Sequence, residues 1–319
     1  QAEDGIRDLV RSRGLGDVYK RQLMVSALFA LWGFANAVTD PMVQAFKKVM
    51  ELSNSQAAWV QMAFYGGYFS MALPAAIFVR KYTYKHGIIV GLLLYGIGAL
   101  LFYPAAMTEQ FWFFCLGLYV LTFGLAFLET TANPYIIAMG DPSTGTRRLN
   151  FAQAFNPVGS LLGLLVAQQF VLKKLQSDDI DAFETLDKIQ KIAIRSADLL
   201  VIRDPYIVLG GVVFVYLVII GLLKMPVSKN EESLPPLGVT LVNLLRKKFY
   251  RIGVLAQAFN VGAQIMCWTY IYQYAEAKGI GADEAANYQF IAFIFFLIGR
   301  AIGTYLLKDY SFLIYTSDA

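Results

Sequence analysis

Apolar runs of about 20 residues or more recur along the whole chain, and no other feature restricts the fold so strongly. They fall at about 23–46, 57–79, 86–107, 110–139, 150–172, 205–225, 252–276 and 284–308. Each has the length, about 20 residues, that an α-helix needs to cross a hydrocarbon core of about 30 Å. Strands of a membrane barrel are about half as long and alternate apolar with polar residues; these runs do neither. Backbone N–H and C=O groups in hydrocarbon must be satisfied within the protein, which leaves helices as the spanning element. Composition agrees. The charged fraction is 16% and the hydrophobic fraction 57%, against about 25% charged in soluble domains. A globule of this length has no interior able to hide so much apolar surface. The expected fold class is an all-α membrane protein.

Charge patterning gives an expected orientation. Arg80, Lys81 and Lys85 lie between the second and third runs, and Arg147 and Arg148 between the fourth and fifth. Lys224, Lys229, Arg246, Lys247, Lys248 and Arg251 lie between the sixth and seventh. All three loops fall on one side, which should be cytoplasmic, with the N-terminus on that side. The long segment 173–204 is mixed in charge and is read as a loop on the other side. Lys47 and Lys48 are a mild exception there. The net charge of +4 fits a basic cytoplasmic face and gives no reason to expect nucleic acid.

Both ends look foreign to this pattern. Residues 1–22 are polar, lack the apolar core of a signal peptide, and resemble translated adapter sequence; the tail at 311–319 has the same look. Both are expected to be non-native, with the native protein continuing beyond its eighth helix. Between them the expected organisation is a six-helix half at 23–225, a cytoplasmic linker at 226–250 and two further helices at 251–310. Six helices, a proline-bearing basic linker and more helices is the plan of a transporter built from two halves.

Ionisable groups inside the spans are few. Asp40 lies in the first, Glu129 in the fourth and Arg300 in the eighth. A charge at the centre of a spanning helix costs about 2.5–3.5 kcal/mol, so such residues normally face a cavity and mark a substrate or ion route. Asn36 and Asp40 are four apart, on one helix face, and Glu129 and Asn133 repeat that spacing; a proline follows each pair. The first and fourth helices are equivalents in inverted three-helix repeats, so the two patterns suggest one polar site approached from two sides. Asn150, Gln153 and Asn156, three apart, are expected on one face of the fifth helix, with Arg148 just before them. Gln264, Trp268 and Tyr272 form a stripe on the seventh. Amides donate and accept at once, which suits vicinal hydroxyls, and Trp32 and Trp268 could face the apolar side of a sugar ring. Trp59 and Trp112, at span ends, read as interface anchors.

Cys115 and Cys267 sit in apolar runs and read as buried free thiols. His86 has no ligand cluster beside it, so no metal is expected. The Gly159-x-x-x-Gly163 spacing reads as close helix packing. A membrane enzyme would need a nucleophile with its base, a metal cluster or a phosphate loop, and the sequence offers none.

Several runs resemble the L-fucose–proton symporter family: LWGFANAVTDPMVQAF at 31–46, AFYGGYF at 63–69, FLETTANP at 127–134, RLNFAQAFN at 148–156 and VGAQIMCWTY at 261–270. The resemblance covers about 23–310. It implies the major facilitator fold, here a six-helix half and the first two helices of the second. It implies a bacterial inner-membrane monomer that imports a monosaccharide, L-fucose or a related hexose, with protons as the coupling ion and no cofactor. Carried onto matching positions, Asp40 and Glu129 are implicated in proton coupling. Glu129, Gln153 and Asn156 are implicated in sugar contact, and Trp32, Trp268 and Arg300 stand near the same cavity. Asn36 and Gln264 join them from the face patterns above. One departure falls at Ala37, where the family has an amide. An exporter or antiporter of another small molecule and a non-transporting sugar sensor are the alternatives.

Overall fold

The computed structural model describes residues 2–139, 144–178, 186–223 and 237–315, and among them every regular element is helical. Helix α1 (Ala2–Val49) is followed by α2 (Asn54–Lys81), α3 (Tyr84–Leu100), the short α4 (Phe102–Thr108) and α5 (Phe111–Ala138). Next come α6 (Gly145–Gln153), α7 (Phe155–Val166) and α8 (Lys188–Leu222). The last four are α9 (Leu237–Arg246), α10 (Lys248–Thr269), α11 (Ile271–Ala277) and α12 (Ala282–Tyr315). Among the described residues, seven stretches are long and apolar enough to cross a membrane: Lys20–Val49, Asn54–Lys81, Tyr84–Thr108, Phe111–Ala138, Gly145–Lys174, Lys188–Leu222 and Glu284–Gly303. The expected seventh helix also forms, as α10 and α11, but its polar content keeps it out of that group. Its Lys248, Arg251, Gln257, Asn260 and Gln264 break the apolar run.

Prolines account for two breaks that differ from the expected spans. A proline has no N–H to give the carbonyl four residues back. Pro104 therefore leaves Leu100 without its helical donor, and the third span turns at Leu101 between α3 and α4. Pro157 likewise frees the carbonyl of Gln153, and the fifth span breaks at Ala154 between α6 and α7. The fifth span then loosens into a π turn at Ala167–Val171 and a 3-10 turn at Leu172–Lys174.

The sixth helix departs furthest from expectation. It was expected from residue 205, yet α8 begins at Lys188, so about half of the presumed loop is helical. Asp187 caps it, with Gln190 returning the contact to the cap backbone in a capping box. Two of the charges that made this stretch look loop-like tie the helix to other segments. Asp198, 1% exposed, accepts the backbone N–H groups of Gln176 (3.0 Å) and Ser177 (2.9 Å). Arg195 reaches the carbonyl of Val49 and the carboxylate of Glu51 at 2.8 Å.

The core is built where backbones touch. A Cβ on Gly159 would stand 1.9 Å from the carbonyl oxygen of Ala30, and one on Gly33 2.1 Å from that of Asn156. Helices α1 and α7 therefore pack backbone to backbone, as the Gly159-x-x-x-Gly163 spacing implied. Ser160 ties the seam by donating to the carbonyl of Gly33 at 3.2 Å. The main apolar cluster runs through α1, α2, α3, α5 and α8, with Phe102 stacked on Tyr206 at 3.8 Å. A second, smaller cluster joins Ala37 and Leu164 to Tyr272, Ala275, Ala285, Ala286 and Phe293; it is where α11 and α12 dock on α1 and α7. Cys115 is buried as expected, but Cys267 is exposed on α10. Trp59 and Trp112 meet edge to face, 5.5 Å apart, at the ends of α2 and α5 away from the basic loops. Residues 226–236 of the expected linker at 226–250 lie outside the described residues.

Candidate functional site

Helix α1 presents Trp32, Asn36 and Asp40 one turn apart on one face. Asp40 is buried, 8% exposed, and its Oδ1 accepts from Gln61 Nε2 of α2 at 3.4 Å. Two phenols from other elements stand within electrostatic reach of its carboxylate: Tyr206 of α8 and Tyr272 of α11. Thr39 Oγ1 lies 3.3 Å from the Tyr206 hydroxyl. Gln61 thus donates to Asp40, while the Tyr272 hydroxyl, near the same carboxylate, gives its proton to Gln289 at 2.6 Å.

Helix α5 supplies the opposing face. Glu129 is partly buried. Asn133, one turn on, donates to the Glu129 backbone carbonyl at 2.9 Å, and its own Oδ1 accepts from Gln153 Nε2 at 3.2 Å. Arg300 of α12 completes the line, giving Nη1 to Gln153 Oε1 at 2.6 Å while its guanidinium lies over the Phe296 ring at 5.1 Å. The expected site from α5 and the fifth span therefore assembles as a chain, Glu129–Asn133–Gln153–Arg300, that crosses between the two parts of the fold. Asp40 precedes Pro41 nine positions from the end of α1 at Val49, and Glu129 lies nine from the end of α5 at Ala138. The two helices run in opposite directions, so the two carboxylates sit at mirrored depths.

Several expected members take other places. Asn156 donates to the carbonyl of Phe29 at 3.4 Å, so its amide N–H helps to fasten α7 to α1. Asn150 shares helix α6 with Gln153, and the break at Ala154 separates both from Asn156. Asn150 donates back to the carbonyl of Thr146 at 3.1 Å. Arg148 caps the end of α5 through the carbonyls of Ile136 and Ile137. Trp268 packs against Phe293 and Phe296, with ring centres 5.1 and 5.4 Å away. Gln264 is half-buried one turn before it. Ala37, 1% exposed, belongs to the apolar cluster with Leu164 and Tyr272. The departure at that position thus lies in helix packing, off the Trp32–Asn36–Asp40 face.

The sequence reading passed over Tyr68 and Gln61. Tyr68 of α2 stands close to both Trp32 and Glu129. Asn36 Oδ1 and Gln61 Oε1 are buried without a hydrogen-bond partner, and Trp32 Nε1 and Tyr68 Oη have at most each other. Buried polar atoms are nearly always paired, so these atoms between two carboxylates mark a place shaped for a hydroxyl-bearing or solvated guest. The signal for Tyr68 was present in AFYGGYF, but an aromatic in an apolar run reads first as core. Among the described residues, no group of three His, Cys, Asp or Glu could hold a metal ion. A separate cavity of about 680 Å³ lies on another side of α1, and none of the candidate residues lines it.

With this geometry in hand, three comparisons bear on it. Residues 23–315 match the Major Facilitator Superfamily profile. The chain is 57% identical over 292 residues to the L-fucose-proton symporter of Haemophilus influenzae, covering 90% of this chain and 68% of that protein. It is 36% identical over 294 residues to the L-fucose-proton symporter of Escherichia coli, covering 90% and 67%. At 28% identity over 288 residues it is also similar to a glucose/galactose transporter of Brucella abortus. The chain thus spans about two thirds of the length of these relatives. Among solved structures, FucP in the outward conformation, a Major Facilitator Superfamily transporter, superposes with a TM-score of 0.79 at 35% identity. That match covers 92% of this chain and 72% of the other.

Proposed function

We propose that this chain, which belongs to the major facilitator superfamily and within it to the L-fucose–proton symporter family, carries a monosaccharide inward together with protons by alternating access. The superfamily consists of transporters, and the seven apolar stretches fit a multi-pass membrane protein. The proposed sugar is L-fucose or a related hexose, the proposed membrane is the bacterial inner membrane, and the basic loops would face the cytoplasm.

The observation that supports this reading most is the set of buried, under-satisfied polar atoms between Asp40 and Glu129: Asn36 Oδ1 and Gln61 Oε1 without a partner, and Trp32 Nε1 and Tyr68 Oη with at most each other. Sugar hydroxyls would satisfy them, and the indole would offer a face to the ring carbons. Hydrocarbon disfavours the charged form of a carboxyl, so a protonated pair would cross the occluded state more readily than an ionised one. Asp40 would exchange its proton, and Glu129, with Gln153 and Asn156, would hold the sugar.

Sugar-induced alkalinisation of a weakly buffered suspension of cells carrying the protein tests the proposal. L-Fucose should raise the external pH. A sugar that binds without moving protons would favour a sensor, and acidification on sugar addition would favour an antiporter. Either result removes the symport reading. Quenching of tryptophan fluorescence reports binding separately. On that readout Tyr68→Phe should weaken sugar binding about 2–10-fold, the loss of one hydrogen bond worth about 0.5–1.5 kcal/mol. Unchanged affinity takes Tyr68 out of the site.

The same reading makes the Lys47–Glu276 pair, with Nζ 3.3 Å from both carboxylate oxygens, part of a closed outer gate between α1 and α11. Gln168 and Asn287, 3.1 Å apart, join the halves on the same side. The ion pair is half in solvent, so its worth is at most about 1 kcal/mol. Glu276→Lys should raise labelling of an outer-cavity cysteine about fivefold or less, and adding Lys47→Glu should reverse it. No change in either variant would mean that the pair does not hold the gate.

A further inference from the structure

We infer that the groove between α1, α7 and α8 is a phospholipid site, holding one acyl chain along its length and the phosphodiester at its mouth through Lys174. The groove is the cavity of about 680 Å³ noted above, and its walls are apolar: Ala30 and Phe34 of α1, Leu162 and Val166 of α7, Val208 and Val212 of α8. Leu162, Val208 and Val212 are 54%, 68% and 48% exposed, so the groove opens outward. It is not the seam with the second half. Leu164 and Gln168 meet α12 from a different stripe of the fifth span.

Two observations choose the occupant. The first is depth. From Asp204 to Tyr216 the groove follows α8 for about 18 Å, close to the roughly 15 Å of one hydrocarbon leaflet. The second is charge. Among the described residues, one end of the groove carries Lys174 and Asp204, while the rest of the lining has no ionisable group other than the Tyr216 phenol. Asp204 is neutralised by Arg203 at 2.6 Å, and Arg203 in turn lies over the Tyr103 ring. Lys174 rests over the edge of the groove at Phe170, its Nζ 5.2 Å from the ring centre. Among the described residues the mouth therefore carries one net positive charge, at the end of the apolar stretch Gly145–Lys174. An apolar slot one leaflet deep ending in a single cation complements an acyl chain ending in a single phosphodiester.

The test uses the purified protein in detergent, with bound lipid counted by native mass spectrometry. The probes are phosphatidylglycerol and the diacylglycerol with the same chains but no phosphate. Phosphatidylglycerol should be retained about tenfold better, the scale of one charge-assisted hydrogen bond. Lys174→Glu should erase that preference, and Ala30→Phe, which fills the slot, should lower retention of both lipids. Sugar-induced fluorescence quenching in each variant reports whether the fold is intact; Gly211→Phe, on an open face of α8, is the control for added bulk. Equal retention of the two probes, or a preference that survives Lys174→Glu, overturns the proposal and leaves only unselective boundary lipid. The sugar readout is independent of the lipid count, so failure here does not bear on the transport reading.

Discussion

Asp40→Asn and Glu129→Gln should each abolish uphill sugar accumulation while leaving a folded, membrane-inserted protein. A membrane potential of 100 mV supplies about 2.3 kcal/mol per proton moved, enough on its own to sustain an accumulation ratio of about 50-fold. A carrier that no longer takes up the proton loses that contribution, and the internal sugar should fall to the external level. The amides are close in shape to the acids, and Gln61 can still donate to an asparagine oxygen where it now meets Asp40 at 3.4 Å. The two variants should differ in binding. Asp40 faces Gln61 and the two phenols, so Asp40→Asn should keep sugar affinity and sugar exchange across the membrane. Glu129 stands beside Tyr68 and the Asn133–Gln153 chain, so Glu129→Gln should also weaken sugar binding. A hydrogen bond to a charged group is worth about 1.5–3 kcal/mol, which corresponds to roughly 10- to 150-fold. Radiolabelled uptake with and without a protonophore, beside fluorescence titration, separates these effects. Full accumulation in both variants would leave no role for the two carboxylates in coupling.

Gly159→Leu should cost the most stability of any single substitution considered. Its Cβ would lie 1.9 Å from a backbone oxygen of α1, and the neighbouring approaches at Gly33 and Gly163 leave no slack, with Cβ distances of 2.1 and 2.6 Å to backbone oxygens. An ordinary overpacked core costs about 1–3 kcal/mol because side chains can shift. Here the obstacle is main chain, and relief requires α1 and α7 to part. That would break the Ser160–Gly33 bond and draw Trp32 away from Tyr68. Loss of the monodisperse peak in size-exclusion chromatography is the expected result. Gly211→Leu is the matching control, since a Cβ there meets nothing within 4 Å; it should melt with the unsubstituted protein. Equal behaviour of the two variants would mean that α1 and α7 are not in backbone contact.

What could be read from residue order and what could not follow from the range of the forces involved. Hydrophobic length is a local property, and so the spans, the close packing at Gly159 and Gly163 (though not its partner α1), and the paired Asn36–Asp40 and Glu129–Asn133 faces were all legible. The acids stood out because charges in apolar runs are costly. Local signals misled where a charged segment was itself helical, as at Lys188–Asp204. There a capping box and an amphipathic pattern outweighed the polar look of the stretch. They also misled at residues 150–156, where Pro157 breaks the helix and separates Asn150 and Gln153 from Asn156. Tyr68 and Gln61 could not be told from packing residues, because whether a buried hydroxyl or amide is satisfied depends on atoms far away in sequence. Sequence alone determined that the chain is a helical membrane bundle with two acids in its interior. Only the tertiary structure decided which polar groups meet across α1, α2, α5 and α12 and which are left unpaired, because that is set by how helices distant in sequence approach one another.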